Sequence, residues 1–264
     1  MILRVESIHT YYGTSHILFG VSLEMEEGEA VALLGRNGAG KTTSLRSIMG
    51  LTPPREGKVL FMGTDISRKP VHVISRMGMG YVPENRMIFP DLTVRENLMI
   101  GVDPKQSGSF TIDSAFHMFP RLKEMKGRPG GMMSGGEQQM LAIARSLMIN
   151  PKILLLDEPL EGLSPMVVQE VGTAVKRLKE ERLLSILLCE QNVGFAMELC
   201  SRVYIIDKGT IKFEGSTSEF RDNQDIQHRY LAVHGGGSRR RRRAFPGPDV
   251  ESRGEMRHSQ LEES

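Results

Sequence analysis

Hydrophobic and polar positions follow two periods along this chain. Val21, Leu23 and Met25 are separated by Ser22, Glu24 and Glu26, the period-two pattern of a strand with one buried face. Glu27-Gly28-Glu29 turns the chain, and Ala30–Leu34 is an unbroken apolar run entering a glycine-rich loop. From Thr42 onward Leu45, Ile48 and Met49 fall on one side of a predicted helix, and Gly57–Gly63 reads as a short antiparallel strand ending at a turn. Between about residues 92 and 150 the spacing becomes helical, β-branched runs thin out, and Asp103–Ser109 forms a polar loop, which predicts a helical insertion. Beyond it the alternation resumes. Ile153–Leu156 is predicted as a buried strand, Pro165–Glu181 as a helix, and Ser185–Cys189 and Val203–Asp207 as further strands. Strands alternating with helices predict an α/β fold whose mostly parallel sheet is covered on both faces.

Composition bounds the picture without redirecting it. With 264 residues, 25% of them charged and 39% hydrophobic, the chain has the make-up of a soluble globular protein. Apolar runs such as Ile153–Leu156 and Ile186–Cys189 fall far short of the roughly 20 residues a membrane-spanning helix needs. The opening from Met1 to Ile8 lacks the basic segment and apolar core of an export signal, so export is not expected. Cys189 and Cys200 make no CxxC pair and are read as buried, reduced thiols.

Charge divides unevenly. Residues 235–264 carry seven arginines against five acidic residues, leaving 27 basic and 27 acidic residues elsewhere. The segment from Gly235 through the run Arg239–Arg243 has a linker's composition and cannot bury enough apolar surface to offset its ordering entropy. The expected division is therefore a domain over 1–234 and a disordered arginine-rich tail over 235–264. The tail is read as solvated, with no specific nucleic acid as partner.

Three motifs carry the chemistry. Gly35-Arg36-Asn37-Gly38-Ala39-Gly40-Lys41-Thr42 fits G-x-x-x-x-G-K-[ST]. In such a loop backbone N–H groups wrap phosphates, the lysine reaches the β and γ groups and the hydroxyl binds Mg²⁺. Thr43 follows at the helix N-terminus, where the dipole favours an anion. Strand, loop and helix occur in the order this motif requires, so the core is read as a P-loop ATPase. Downstream, Asp157 closes the buried strand and is the candidate for holding Mg²⁺, while Glu158 is the candidate general base toward the attacking water, a role worth about 10²- to 10⁴-fold in rate. Between them lies Met133-Ser134-Gly135-Gly136-Glu137-Gln138-Gln139, whose serine and glycines suit the N-terminus of the following helix, Met140–Met148.

From Leu3 to about Leu231 the chain resembles the ATP-binding subunits of ATP-binding cassette transporters. Tyr81-Val-Pro-Glu84, Ile88–Leu98, Phe119-Pro-Arg-Leu122, Met133–Ser146 and Glu190-Gln-Asn192 make it similar to the importers of branched-chain and related amino acids. The resemblance implies an α/β core with a small antiparallel β subdomain and an inserted helical subdomain. It also implies that Ser134, Gly135, Gly136 and Glu137 cap the ATP held by a second subunit, in a head-to-tail dimer of identical or paralogous chains. An aromatic near the N-terminus would stack on adenine, with Tyr12 the better match and Tyr11 its rival. The implied setting is peripheral, on the cytoplasmic face of the cell membrane, with permease subunits as partners and a solute-binding protein acting indirectly. Met77, Met79, Met87 and Met99 lie near the implied permease groove, although core packing is the expected use of most methionines.

Three departures from the wider family need separate weight. Glu84 stands where a glutamine usually binds Mg²⁺, and a carboxylate serves a hard cation as well. Gln191 stands where a histidine usually meets the γ-phosphate; its amide donates a hydrogen bond but cannot take up a proton. Leu160-Glu161-Gly162-Leu163-Ser164 replaces the small polar residues that usually follow Asp-Glu-Pro. Beside the transport ATPase, two alternatives remain: a non-transport ATPase of the same superfamily, and a regulatory nucleotide-binding module with little turnover.

Overall fold

A computed structural model of the chain describes residues 1–102, 110–182 and 184–231. The polar loop Asp103–Ser109 and the arginine-rich tail lie outside the described residues. Two sheets organise the rest. The first is antiparallel, in the order β2-β1-β4-β5, built from β1 (Leu3–Tyr12), β2 (Ser15–Met25), β4 (Glu56–Phe61) and β5 (Thr64–Asp65). The alternation that predicted a strand at Val21–Met25 is the inner face of β2, where Val21, Leu23 and Met25 are buried.

The second sheet runs β10-β9-β3-β8-β7-β6. Its strands are β3 (Ala30–Leu34), β6 (Met79–Val82), β7 (Ile153–Asp157), β8 (Ser185–Glu190), β9 (Arg202–Asp207) and β10 (Thr210–Ser216). All neighbours pair in parallel except β10, which closes the edge antiparallel to β9. Because successive side chains point to opposite faces, each strand feeds two cores. Ala30, Ala32 and Leu34 of β3, with Leu154 and Leu156 of β7 and Ile186 and Leu188 of β8, join one cluster with the helices. Val31, Leu33, Ile153, Leu155, Leu187 and Cys189 point the other way, against α1 (Lys41–Ile48) and the antiparallel sheet. That is why β3, β7 and β8 read as unbroken apolar runs instead of alternating ones.

After the short helix α2 (Val71–Arg76), helices occupy the stretch expected to be helical: α3 (Val94–Ile100), α4 (Ile112–Met118), α5 (Pro120–Glu124) and α6 (Gly135–Leu147). Helix α6 begins ahead of the predicted Met140 because Ser134 caps it. The Ser134 hydroxyl accepts from the Glu137 N–H while the Glu137 carboxylate accepts from the Ser134 N–H, a reciprocal capping box. Asn97, buried on α3, binds the preceding turn through the carbonyls of Phe89, Leu92 and Thr93 and the N–H of Phe89. The predicted helix at Pro165–Glu181 is α7 (Pro165–Arg182), and α8 (Val193–Leu199) follows β8. Both cysteines are free and buried, as expected.

Candidate active site

The phosphate loop joins the end of β3 to α1, and its glycines are required by its surroundings. A side chain at Gly35 would run into the Ile206 carbonyl at the end of β9, while Gly38 and Gly40 have φ of 75° and 116°, a region L-residues avoid. The loop borders a cleft of about 420 Å³ lined by Tyr12, Ile17, Asn37, Gly38, Gly40, Lys41, Thr42, Thr43, Glu84, Glu158 and Glu161. Gly35 and Ala39 lie in the wall behind it, packed against each other and Ile206, and Arg36 is exposed.

Lys41 is the centre of the site's charge. It is 3% exposed, and its Nζ donates to the carbonyls of Gly35 (2.8 Å) and Arg36 (3.1 Å) and pairs with Glu158 Oε1 at 3.0 Å. The other Glu158 oxygen accepts from Gln191 Nε2 at 2.6 Å. Burial pushes the Glu158 carboxyl up, but the hydrogen bonds from Gln191 and Lys41 outweigh it and hold it below the usual carboxylate value. The side chain is aimed this way by its backbone. Glu158 has φ of 47°, and its N–H donates to the Cys189 carbonyl on the neighbouring strand. A non-glycine residue in this region is strained, a feature found at functional positions.

Asp157 is fully buried and held from two sides, by the Thr42 hydroxyl on Oδ1 (3.0 Å) and the Tyr81 hydroxyl on Oδ2 (3.1 Å). Its pKa is raised because burial outweighs those two donors, with the charges of Glu158 and Glu84 adding to the effect. Among the described residues no group of three His, Cys, Asp or Glu side chains is gathered into a metal cage. Thr42, Asp157 and Glu84 instead offer a sparse, all-oxygen set, which suits Mg²⁺, an ion usually bound by one or two carboxylates together with substrate phosphates.

Three further side chains contribute that no motif singles out: Tyr81, Glu190 and Glu161. Glu190 is buried and accepts from the N–H groups of Leu160, Gln191 and Asn192, tying the loop after β7 to the loop after β8. Burial raises its pKa against those backbone donors. Glu161 is raised first by its hydrogen bond with Glu158. The two tyrosines separate cleanly. Tyr12 is 43% exposed in the cleft lining, whereas Tyr11 stacks on His16 at 4.0 Å with Arg55 over its ring.

The capping segment stands apart. Ser134 is exposed, Gly136 has no room for a side chain beside Val167, and none of Ser134, Gly135, Gly136 or Glu137 lines the phosphate-loop cleft.

Comparison with known proteins places this arrangement. The family model described as "ABC transporter" matches residues 18–161, more than half of the chain. The high-affinity branched-chain amino acid transport ATP-binding protein BraG of Pseudomonas aeruginosa is 38% identical over 87% of this chain and 99% of its own. The probable branched-chain amino acid transport ATP-binding protein LivF of Archaeoglobus fulgidus is 36% identical over 88% and 99%. The lipopolysaccharide export ATP-binding protein LptB of Haemophilus influenzae is 34% identical over 87% and 97%. Among solved structures, the dimeric ATP-binding cassette MJ0796 with ADP and Pi superimposes with a TM-score of 0.71 at 25% identity, over 82% of this chain and 99% of that one. Spanning these cassettes nearly end to end, with Thr42 of the phosphate loop bonded to Asp157 and Lys41 paired with Glu158, the chain belongs to the ABC transporter family as an ATP-hydrolysing, ATP-binding subunit.

Proposed function

We propose that this ATPase powers the import of branched-chain or related amino acids through partner permease subunits, as a peripheral subunit on the cytoplasmic face of the cell membrane. The observation that carries the catalytic part is the chain of contacts Lys41–Glu158–Gln191 beside the phosphate loop. When ATP enters, Lys41 turns from Glu158 to the β and γ phosphates. Glu158, an ionised carboxylate at neutral pH, accepts the proton of the attacking water. Gln191 leaves the Glu158 carboxylate and donates to the γ-phosphate without exchanging a proton. Thr42, Asp157 and Glu84 would hold Mg²⁺, which supplies neutralising charge on the phosphate oxygens. Tyr12 supplies a stacking face for adenine.

The separation of Ser134–Glu137 from this chain's own cleft supports their service to the ATP of a second subunit, identical or paralogous, in a head-to-tail dimer. An apolar groove of about 310 Å³ lined by Met49, Leu51, Met79, Met87, Ile100 and Ile149, among others, offers permease subunits a seat. Of the methionines placed near it from sequence, Met79 and Met87 line it, Met77 packs against the core, and Met99 is exposed on α3. Among the described residues no helix is long and apolar enough to cross a membrane, which fits a peripheral subunit.

Branched-chain amino acid transport by BraG and LivF favours amino acids as cargo. LptB, with its lipopolysaccharide export, supports the rival reading. Uptake decides between them: vesicles carrying the chain with its co-purified permeases should accumulate labelled leucine, isoleucine or valine when ATP is supplied on the cytoplasmic side. Amino-acid-independent ATPase activity with no uptake would overturn the cargo assignment while leaving the ATPase intact.

A further inference from the structure

Among the described residues Tyr81 supplies the one hydroxyl from outside the phosphate loop that donates to Asp157. It lies on β6, paired with Leu155 two residues before Asp157 on β7, so strand register brings its phenol alongside the carboxylate. The hydroxyl donates to Asp157 Oδ2 at 3.1 Å while Thr42 donates to Oδ1. With one donor on each oxygen the carboxylate cannot rotate about its final torsion without losing a bond in a buried site. The main chain of Tyr81 is itself seated, because the Ser146 hydroxyl near the end of α6 donates to the Tyr81 carbonyl at 3.1 Å. That helix is the one Ser134 caps at its other end. Tyr81 also lines the apolar groove, together with Ser146 and Arg145.

We propose that Tyr81 is a positioning residue for the Mg²⁺-dependent step: its hydroxyl fixes the Asp157 carboxylate, and Ser146 on α6 fixes Tyr81. The tyrosine therefore ties the helix capped by Ser134, and the groove, to the carboxylate assigned to the metal. This inference rests on the reading of Asp157 as a Mg²⁺ residue and is independent of the transported cargo.

The test measures binding of a non-hydrolysable ATP analogue by calorimetry, in excess EDTA and across a Mg²⁺ titration. In Tyr81→Phe the affinity in EDTA should match wild type, while the gain in affinity produced by Mg²⁺ should shrink by about three- to tenfold, part of the worth of one hydrogen bond to a carboxylate. In an Asp157→Asn background the same substitution should have no further effect, since a double-mutant cycle isolates a pair only when they interact. Ser146→Ala, which leaves the phenol in place, should reduce the Mg²⁺ gain in the same direction by a smaller factor and serves as the reading should Tyr81→Phe fold poorly. A Mg²⁺ titration of Tyr81→Phe that superimposes on wild type overturns the proposal. So does an equal loss in EDTA, a loss that persists undiminished beside Asp157→Asn, or an unchanged Mg²⁺ gain in Ser146→Ala. If wild type itself shows no Mg²⁺ gain, the assignment of Asp157 to the metal fails instead, which is a separate result.

Discussion

Replacing Glu158 by glutamine should slow hydrolysis and tighten ATP binding together, and the size of the second effect follows from the geometry. The carboxylate accepts from Lys41 on Oε1 (3.0 Å) and from Gln191 on Oε2 (2.6 Å), with both charged groups buried. A carboxamide has one acceptor oxygen and one donor NH₂. It can serve Lys41 or Gln191, and whichever it does not serve meets a donor. Glu158→Gln therefore removes the charge assistance from one bond and abolishes the other, a loss of about 1.5–3 kcal/mol. Lys41 keeps the Gly35 and Arg36 carbonyls, which holds the figure to that range and below the cost of stranding a buried charge. Because ATP must displace these contacts to engage Lys41 and Gln191, removing them should tighten ATP by about 10- to 150-fold. Loss of the base should lower kcat by about 10²- to 10⁴-fold. Equilibrium binding of a fluorescent ATP analogue and steady-state phosphate release measure the two effects on one preparation. A variant that binds ATP no tighter than wild type would refute the idea that Glu158 holds Lys41 back. One that kept most of its kcat would remove Glu158 as the base, and if wild type also failed to exceed Lys41→Ala, a low-turnover regulatory role would replace the ATPase.

The Glu158 carboxyl is held below its ordinary 4.5 by Gln191 and Lys41 against burial. A group depressed in the folded state adds stability above its unfolded pKa and loses it as pH falls through the folded value. Gln191→Ala should therefore raise the pH of acid unfolding, followed by circular dichroism, and no basic limb of the ATPase profile near pH 6.5 should depend on residue 191. Gly35→Ala drives a methyl group into the Ile206 carbonyl; overpacking of this kind should destabilise the fold by about 1–3 kcal/mol, seen as a lower Tm even without nucleotide. Tyr12→Ala should weaken ATP binding by about two- to tenfold through lost stacking, whereas Tyr11→Ala, whose ring is committed to His16 and Arg55, should leave it within twofold of wild type.

What the sequence made legible were features whose signal is local. The phosphate loop announced itself because glycine spacing and Lys41 sit within one turn, and β3, β7 and β8 because both of their faces are buried. The strand β1 was less plain. Register shifts against β2 between Val5 and Ile8, and between Thr10 and Tyr11, interrupt its alternation, and Thr10 is buried against Ser47 through a hydroxyl pair, so a polar residue stands where an apolar one would mark the inner face. The site's control elements were hidden for a different reason. Glu190 looks like any strand-end carboxylate until β8 is laid beside β7 and its oxygens meet the N–H groups of Leu160, Gln191 and Asn192. Tyr81 reads as a half-buried strand residue until parallel pairing sets it next to the strand ending in Asp157. Nor could any pattern forecast that Lys41 would be occupied by Glu158 itself, since that contact needs a left-handed backbone at Glu158 and the convergence of three strands. The phosphate loop is thus written locally, while the contacts of Lys41 with Glu158, Glu158 with Gln191 and Tyr81 with Asp157 exist only through the sheet's order, β3 beside β8 beside β7 beside β6.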